Sequence, residues 1–189
     1  NQPMKSLHLT RPHAIMMVGL PGSGKSFFAS QFAEMFNAPY IDSLAIESKA
    51  SDAAAASDLV AMMLAEIIKT GQTFIFEGNS DSRARRTEFA RWARDKGYQP
   101  MLIWVQADQT TSLGRSLRAK TLTRDQFADA VRKFSPPHPH EKPVVISGRH
   151  TYASQAKVVL GRLSKDNRPT ESLQTDRPLS GGGRSIMIR

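Results

Sequence analysis

The 189-residue chain contains no cysteine. That excludes a disulfide framework, a thiolate nucleophile and any cysteine-held zinc or iron–sulfur centre. No apolar run approaches the ~20 residues that a bilayer span needs, so a membrane helix is excluded. A basic stretch followed by an apolar core, the mark of a secretory signal, is also missing. These absences lead us to expect a cytoplasmic protein with no membrane partner. The sequence starts at Asn1 rather than methionine, which leaves an upstream segment open.

What is present is enough for one domain. About 40% of the residues are apolar, sufficient for a buried core. The formal charge is +9, from 26 basic against 17 acidic side chains. Two stretches hold most of it. Residues 83–96 and residues 115–133 each carry six basic and two acidic side chains. Such a balance attracts phosphates, whether of nucleotides or of nucleic acid, although a solvated surface has the same composition.

The hydrophobic pattern alternates strands with helices. Apolar runs at 14–18, 73–76, 101–105 and 144–146 read as buried parallel strands, and 39–41 as a short one. Pro100 must then sit at a strand's start. Helical spacing covers 26–36, 51–70, 82–96, 110–117, 124–134 and 151–163. Thr123 and Gln126 form a capping-box pattern ahead of the fifth of these. The expected fold is α/β, a mostly parallel sheet with helices on both faces and an arginine-bearing lid at about 115–135. Residues 1–13 read as an extension, 14–163 as the domain and 164–189 as a flexible tail. The run Gly181-Gly182-Gly183 reads as a hinge, and Ser185 to Ile188 as an anchor through which the chain docks on itself or forms an oligomer.

The most specific motif is Gly19-Leu20-Pro21-Gly22-Ser23-Gly24-Lys25-Ser26, a full G-x-x-x-x-G-K-[ST] phosphate loop. It stands where the mechanism needs it, after a buried strand and before an amphipathic helix. Glycines let backbone N–H groups approach phosphate oxygens. The helix N-terminus adds positive potential. Lys25 supplies a charge for the β- and γ-phosphates, and the Ser26 hydroxyl is a hard oxygen ligand for Mg²⁺. Gly19, Pro21, Gly22, Ser23, Gly24, Lys25, Ser26 and Phe27 are the candidate ATP-binding residues.

This loop, followed by Phe76-Glu77-Gly78-Asn79, an arginine-rich helix, the Gly97-Tyr98 turn and the strand 101–105, resembles the small P-loop kinases of the polynucleotide-kinase and zeta-toxin type. The resemblance spans roughly residues 14–163. It implies ATP- and Mg²⁺-dependent transfer of a phosphoryl group to a hydroxyl. It also implies roles for individual residues. Asp42, after the second strand, is the candidate base; its alternative is a helix N-cap or a turn residue, and a second alignment puts Leu44 in that slot and leaves no base. Glu77 stands where the family has aspartate, and could hold the Mg²⁺ shell or pair with an arginine. Asn79 matches a substrate-orienting asparagine or is a turn residue. Arg115 and Arg118, three apart on one helical face, are lid arginines that could close over the ATP phosphates. Arg83, Arg85 and Arg86 stand on the expected acceptor side, where Arg83 and Arg86 are candidates to hold a substrate phosphate.

The acceptor is then a nucleotide, a nucleic-acid end or another small molecule, and the basic substrate side favours a phosphorylated small molecule over a neutral sugar. Two alternatives stand beside the kinase reading. One is an ATP-binding regulatory protein with weakened chemistry; the other is a zeta-toxin-like kinase. His138 and His140 form a His-x-His pair with no evident third metal ligand. Trp92 and Trp104 read as core rather than base-stacking platforms.

Overall fold

The computed structural model of the chain describes residue 7 and residues 9–167. Five strands and seven helices alternate among them. In chain order these are β1 (His13–Val18), α1 (Lys25–Phe36), β2 (Tyr40–Asp42), α2 (Ser43–Glu47), α3 (Ala53–Thr70) and β3 (Phe74–Glu77). Then come α4 (Arg83–Asp95), β4 (Gln99–Gln106), α5 (Gln109–Arg118), α6 (Arg124–Lys133), β5 (Val144–Ser147) and α7 (Tyr152–Asp166). A single 3₁₀ turn, Pro139–Glu141, precedes β5.

The strands form one parallel sheet in the order β2-β3-β1-β4-β5. Parallel neighbours need crossover connections, and the helices supply them on both faces. All six residues of β1 are buried, as expected of the central strand of a two-sided sheet. Alternate residues serve opposite faces. Ile15 and Met17 join Phe28, Phe32 and Val159 beneath α1 and α7. Ala14, Met16 and Val18 join Phe74, Phe76 and Leu102 on the face of α4, with Val60 and Leu64 of α3 against them.

Pro100 is the second residue of β4. Its neighbour Gln99 donates its N–H to Pro12 at 2.8 Å, which turns residue 100 away from β1. On that other side β5 begins only at the Ile103–Val144 pair, so the missing proline N–H breaks no ladder bond.

Two boundaries differ from the sequence expectation. Leu7 and Leu9 pack on the core, so the segment before β1 is more than an extension. The last helix continues through 164–166, because Asp166 pairs with Arg162 one turn earlier at 3.3 Å. The five-residue α2 is too short to show a period and depends on its cap, the alternative role read for Asp42. The expected hinge at Gly181 and anchor at Ser185 to Ile188 lie outside the described residues.

His13 starts β1 with 2% of its surface exposed. Its Nε2 faces Asp166 at 3.7 Å and its Nδ1 lies 3.0 Å from the Arg11 carbonyl. Burial lowers its pKa, and the Arg11 carbonyl and Asp166 offset that only in part. A neutral buried imidazole favours the folded state at pH above its ordinary value of 6.5 and loses that contribution as pH falls below it. We expect the wild-type melting temperature to drop between pH 7.5 and pH 5.5. His13→Gln should flatten that slope; an unchanged slope would place the acid sensitivity elsewhere.

Candidate nucleotide-binding site

The phosphate loop joins the C-terminal end of β1 to α1, at the carboxyl edge of the sheet where open α/β folds bind ligands. Gly24 precedes α1 in a left-handed conformation, and no side chain caps the helix. The first-turn N–H groups of α1 are therefore free for an external acceptor. Gly22 has φ 77°, and a Cβ there would collide with the Ser112 carbonyl of α5. Ser112 and Ser116 are accordingly small and buried, at 0% and 2% exposure.

The loop carbonyls are held by cations. Lys25 Nζ donates to the carbonyls of Gly19 at 2.9 Å and Leu20 at 3.0 Å. Arg115 Nη1 donates to Gly22 at 3.4 Å and Ser23 at 3.3 Å, and its Nη2 donates to Gly148 at 2.9 Å. Burial lowers the Lys25 pKa, while the carboxylates of Glu77 and Asp42 raise it. Those two carboxylates thus lie within electrostatic reach of the loop lysine. Phe27, in the first turn of α1, is exposed over 55% of its surface.

Parallel register sets Asp42 of β2 opposite Glu77 of β3, so two strand ends present carboxylates side by side. Glu77 is buried at 3% exposure. Its Oε1 accepts from Ser26 Oγ at 2.9 Å and its Oε2 from Tyr40 Oη at 2.6 Å. Burial and that hydrogen bond push the Tyr40 pKa far up, so the phenol remains a donor. The pair Ser26 and Glu77 fits a Mg²⁺ ion, which takes a hydroxyl, one or two carboxylates and substrate phosphates. Tyr40 was missed by sequence reasoning. The available signal was its position two residues before Asp42, on the same face of a strand that ends at the site.

Asp42 is the N-cap of α2. Its Oδ1 accepts from the backbone N–H groups of Leu44 and Ala45, each at 3.1 Å. Asn79 occupies a left-handed turn at φ 49° and accepts from Arg85 Nη1 at 2.8 Å.

The arginines separate into different roles. Arg86 does not stand free on the acceptor side. It is 1% exposed, and its guanidinium donates to both Glu141 oxygens, at 2.7 and 3.2 Å, and to the carbonyls of Ser80 and Ser135. Those bonds tie α4 to the segment before β5 and use four of the five N–H donors of Arg86. Arg83 is exposed on α4 and lines a separate cleft with Arg94 and Lys142. The lid expected from residue 115 also needs correction. Ser112 to Ser116 pack against the loop, so Arg115 is a brace; the exposed part starts at Arg118 and runs to about residue 126, with Leu122 half-buried.

The fold and the loop together define a P-loop NTPase with the architecture of a small kinase. A family model described as "AAA domain" matches residues 15–137, and the chain belongs to that family. Among solved structures, a gluconokinase from Sinorhizobium meliloti 1021 is similar at TM-score 0.63 and 14% identity, covering 82% of this chain and 94% of that one. A sugar kinase from Janibacter sp. HTCC2649 is similar at TM-score 0.58 and 15% identity, over 82% and 95%. A shikimate kinase from Acinetobacter baumannii, crystallised with shikimate, gives 0.57 and 17%, over 84% and 97%. At these identities the likeness establishes the fold. No curated protein matches the chain significantly. No helix among the described residues is long and apolar enough to cross a membrane.

Two substitutions check this geometry. Arg86→Leu should cost about 3–5 kcal/mol of stability by chemical denaturation, because it strips the half-buried Glu141 and the carbonyls of Ser80 and Ser135 of their donor; a near-neutral change would return Arg86 to the acceptor side. Tyr40→Phe removes a donor to a charged group and should cost about 1.5–3 kcal/mol. It should also raise the Mg²⁺ concentration needed for nucleotide binding. Unchanged Mg²⁺ dependence would show that Glu77 holds its position unaided.

Proposed function

We propose that the chain is an ATP-dependent phosphotransferase that moves the γ-phosphoryl group of ATP to a hydroxyl. The observation that carries this reading is the uncapped loop-to-helix junction, with Lys25 at its centre and Ser26 joined to Glu77. Phosphoryl transfer asks little covalent chemistry of a protein; positioning and charge stabilisation do most of the work. The α1 N-terminus and Lys25 would bind the phosphate chain, Lys25 exchanging its loop carbonyls for phosphate oxygens. Mg²⁺, held through Ser26 and by Glu77 directly or through water, would supply charge neutralisation between the β- and γ-phosphates. Asp42 would orient the acceptor hydroxyl and take its proton on Oδ2, since Oδ1 caps α2.

A small hydroxyl compound is the favoured acceptor. The case for a phosphate-bearing acceptor rested on clustered arginines, and two of those have internal partners: Arg86 binds Glu141 and Arg85 binds Asn79. The structural neighbours are described as acting on gluconate, sugars and shikimate, all polyhydroxy compounds. A nucleotide or nucleic-acid end, suggested by the resemblance to polynucleotide kinases, is the second arm of an acceptor screen with labelled ATP. The capping role of Asp42 favours a second reading, an ATP-binding regulatory protein with weak chemistry.

Lys25→Ala should weaken ATP binding at least tenfold with the fold intact, measured by calorimetry and circular dichroism. Unaltered affinity would contradict the phosphate-loop assignment. Asp42→Asn should leave ATP binding nearly unchanged and lower transfer to an acceptor by about 10²–10⁴, the usual worth of a positioned base. Transfer at the wild-type rate would reduce Asp42 to its cap.

A further inference from the structure

A second cationic cleft lies away from the phosphate loop. It has a volume of about 490 Å³ and runs between α4, the first half of β4, the turn before β5 and the end of α7. It exists because β5 stops short: its ladder begins at Ile103–Val144, leaving the edge of β4 uncovered over 99–102. Arg83 and Arg94 lie on one wall. They are eleven residues apart on α4, so about three turns and roughly 16 Å separate them along the same face. Lys142 and Arg162 face them from the opposite wall.

The charges do not cancel. Among the described residues, the two acidic groups lining the cleft already have cationic partners. Glu141 is held by Arg86, and Asp166 by Arg162 with His13 beside it. Arg83, Arg94 and Lys142 form no ion pair there. Arg83 acts on Glu141 only through its field. The lining carries five basic against two acidic side chains, a surplus of positive charge that draws an anion into a partly enclosed cleft. The placement of Arg83, Arg94 and Lys142 at separate points favours an anion with charge at several positions. A cleft of about 490 Å³ has the size of a small-molecule site rather than of a track for a continuous nucleic-acid strand.

We infer that this cleft is a second anion-binding site, for a small polyphosphorylated molecule that binds independently of the phosphate loop. Phosphate oxygens would accept from Arg83 and Arg94 on one side and from Lys142 on the other. Arg162 is oriented by Asp166 and by the Lys142 carbonyl, to which its Nη2 donates at 3.1 Å. The inference does not depend on the chain being a kinase.

The test uses the full chain carrying Lys25→Ala, which disables the loop, and inorganic tripolyphosphate as the probe in titration calorimetry. The expected result is one remaining site whose affinity falls with added salt. Adding Arg94→Gln and Lys142→Gln should weaken that site about tenfold or more, since each removes a charge-assisted hydrogen bond. Both side chains are exposed, so the melting temperature should hold, and the same pair in a wild-type loop should spare ATP binding. No binding to the Lys25→Ala chain, or binding unaffected by the added pair, would overturn the inference. So would a single-stranded oligonucleotide that binds more tightly than tripolyphosphate and is lost with the pair.

Discussion

The structure depends on how one backbone loop is held. A loop that offers its N–H groups to an anion must place its carbonyls elsewhere, and buried carbonyls need donors. Here Lys25 serves Gly19 and Leu20, and Arg115 serves Gly22 and Ser23 while joining them to Gly148. The close approach that makes these bonds possible dictates the neighbours. Gly22 must lack a side chain because the Ser112 carbonyl is there, and α5 must carry serines where it touches the loop. Gly148 is constrained in the same way, since a Cβ would strike the Ser23 carbonyl. The sheet order that puts β1 between β3 and β4 brings all these parts to one edge.

The second constraint is electrostatic. Glu77 is a buried carboxylate, costly unless it is hydrogen-bonded. Ser26 and Tyr40 each donate to one of its oxygens, and Lys25 lies within its field. Glutamate is one methylene longer than aspartate, and Tyr40 restricts that added freedom by fixing Oε2. Loop, strand end and β2 therefore form one unit.

Much of this was legible in the sequence. The apolar runs located the strands to within a residue or two, because a strand covered on both faces keeps its polar residues to its ends. The loop motif announced its role through spacing alone. The individual arginines were not legible. Arg83 and Arg86 look alike in sequence, yet Arg86 faces inward to Glu141, 55 residues away, and Arg83 faces solvent. Arg115 and Arg118 share a helical face, but the packing of Ser112 and Ser116 pulls only Arg115 to the loop. Such outcomes rest on contacts between distant segments, which carry no local period. Tyr40 was hidden for the same reason, and Asp42 read equally well as base or cap because its side chain offers two oxygens.

A nucleotide held by Lys25 and the α1 N-terminus would be anchored by its phosphate chain more than by its base. Calorimetric titration of the wild-type chain with ATP, ADP and AMP in the presence of Mg²⁺ addresses it most directly. ATP and ADP should bind, and AMP, which lacks the β- and γ-phosphates, should bind far more weakly. AMP binding as tight as ATP binding would contradict it.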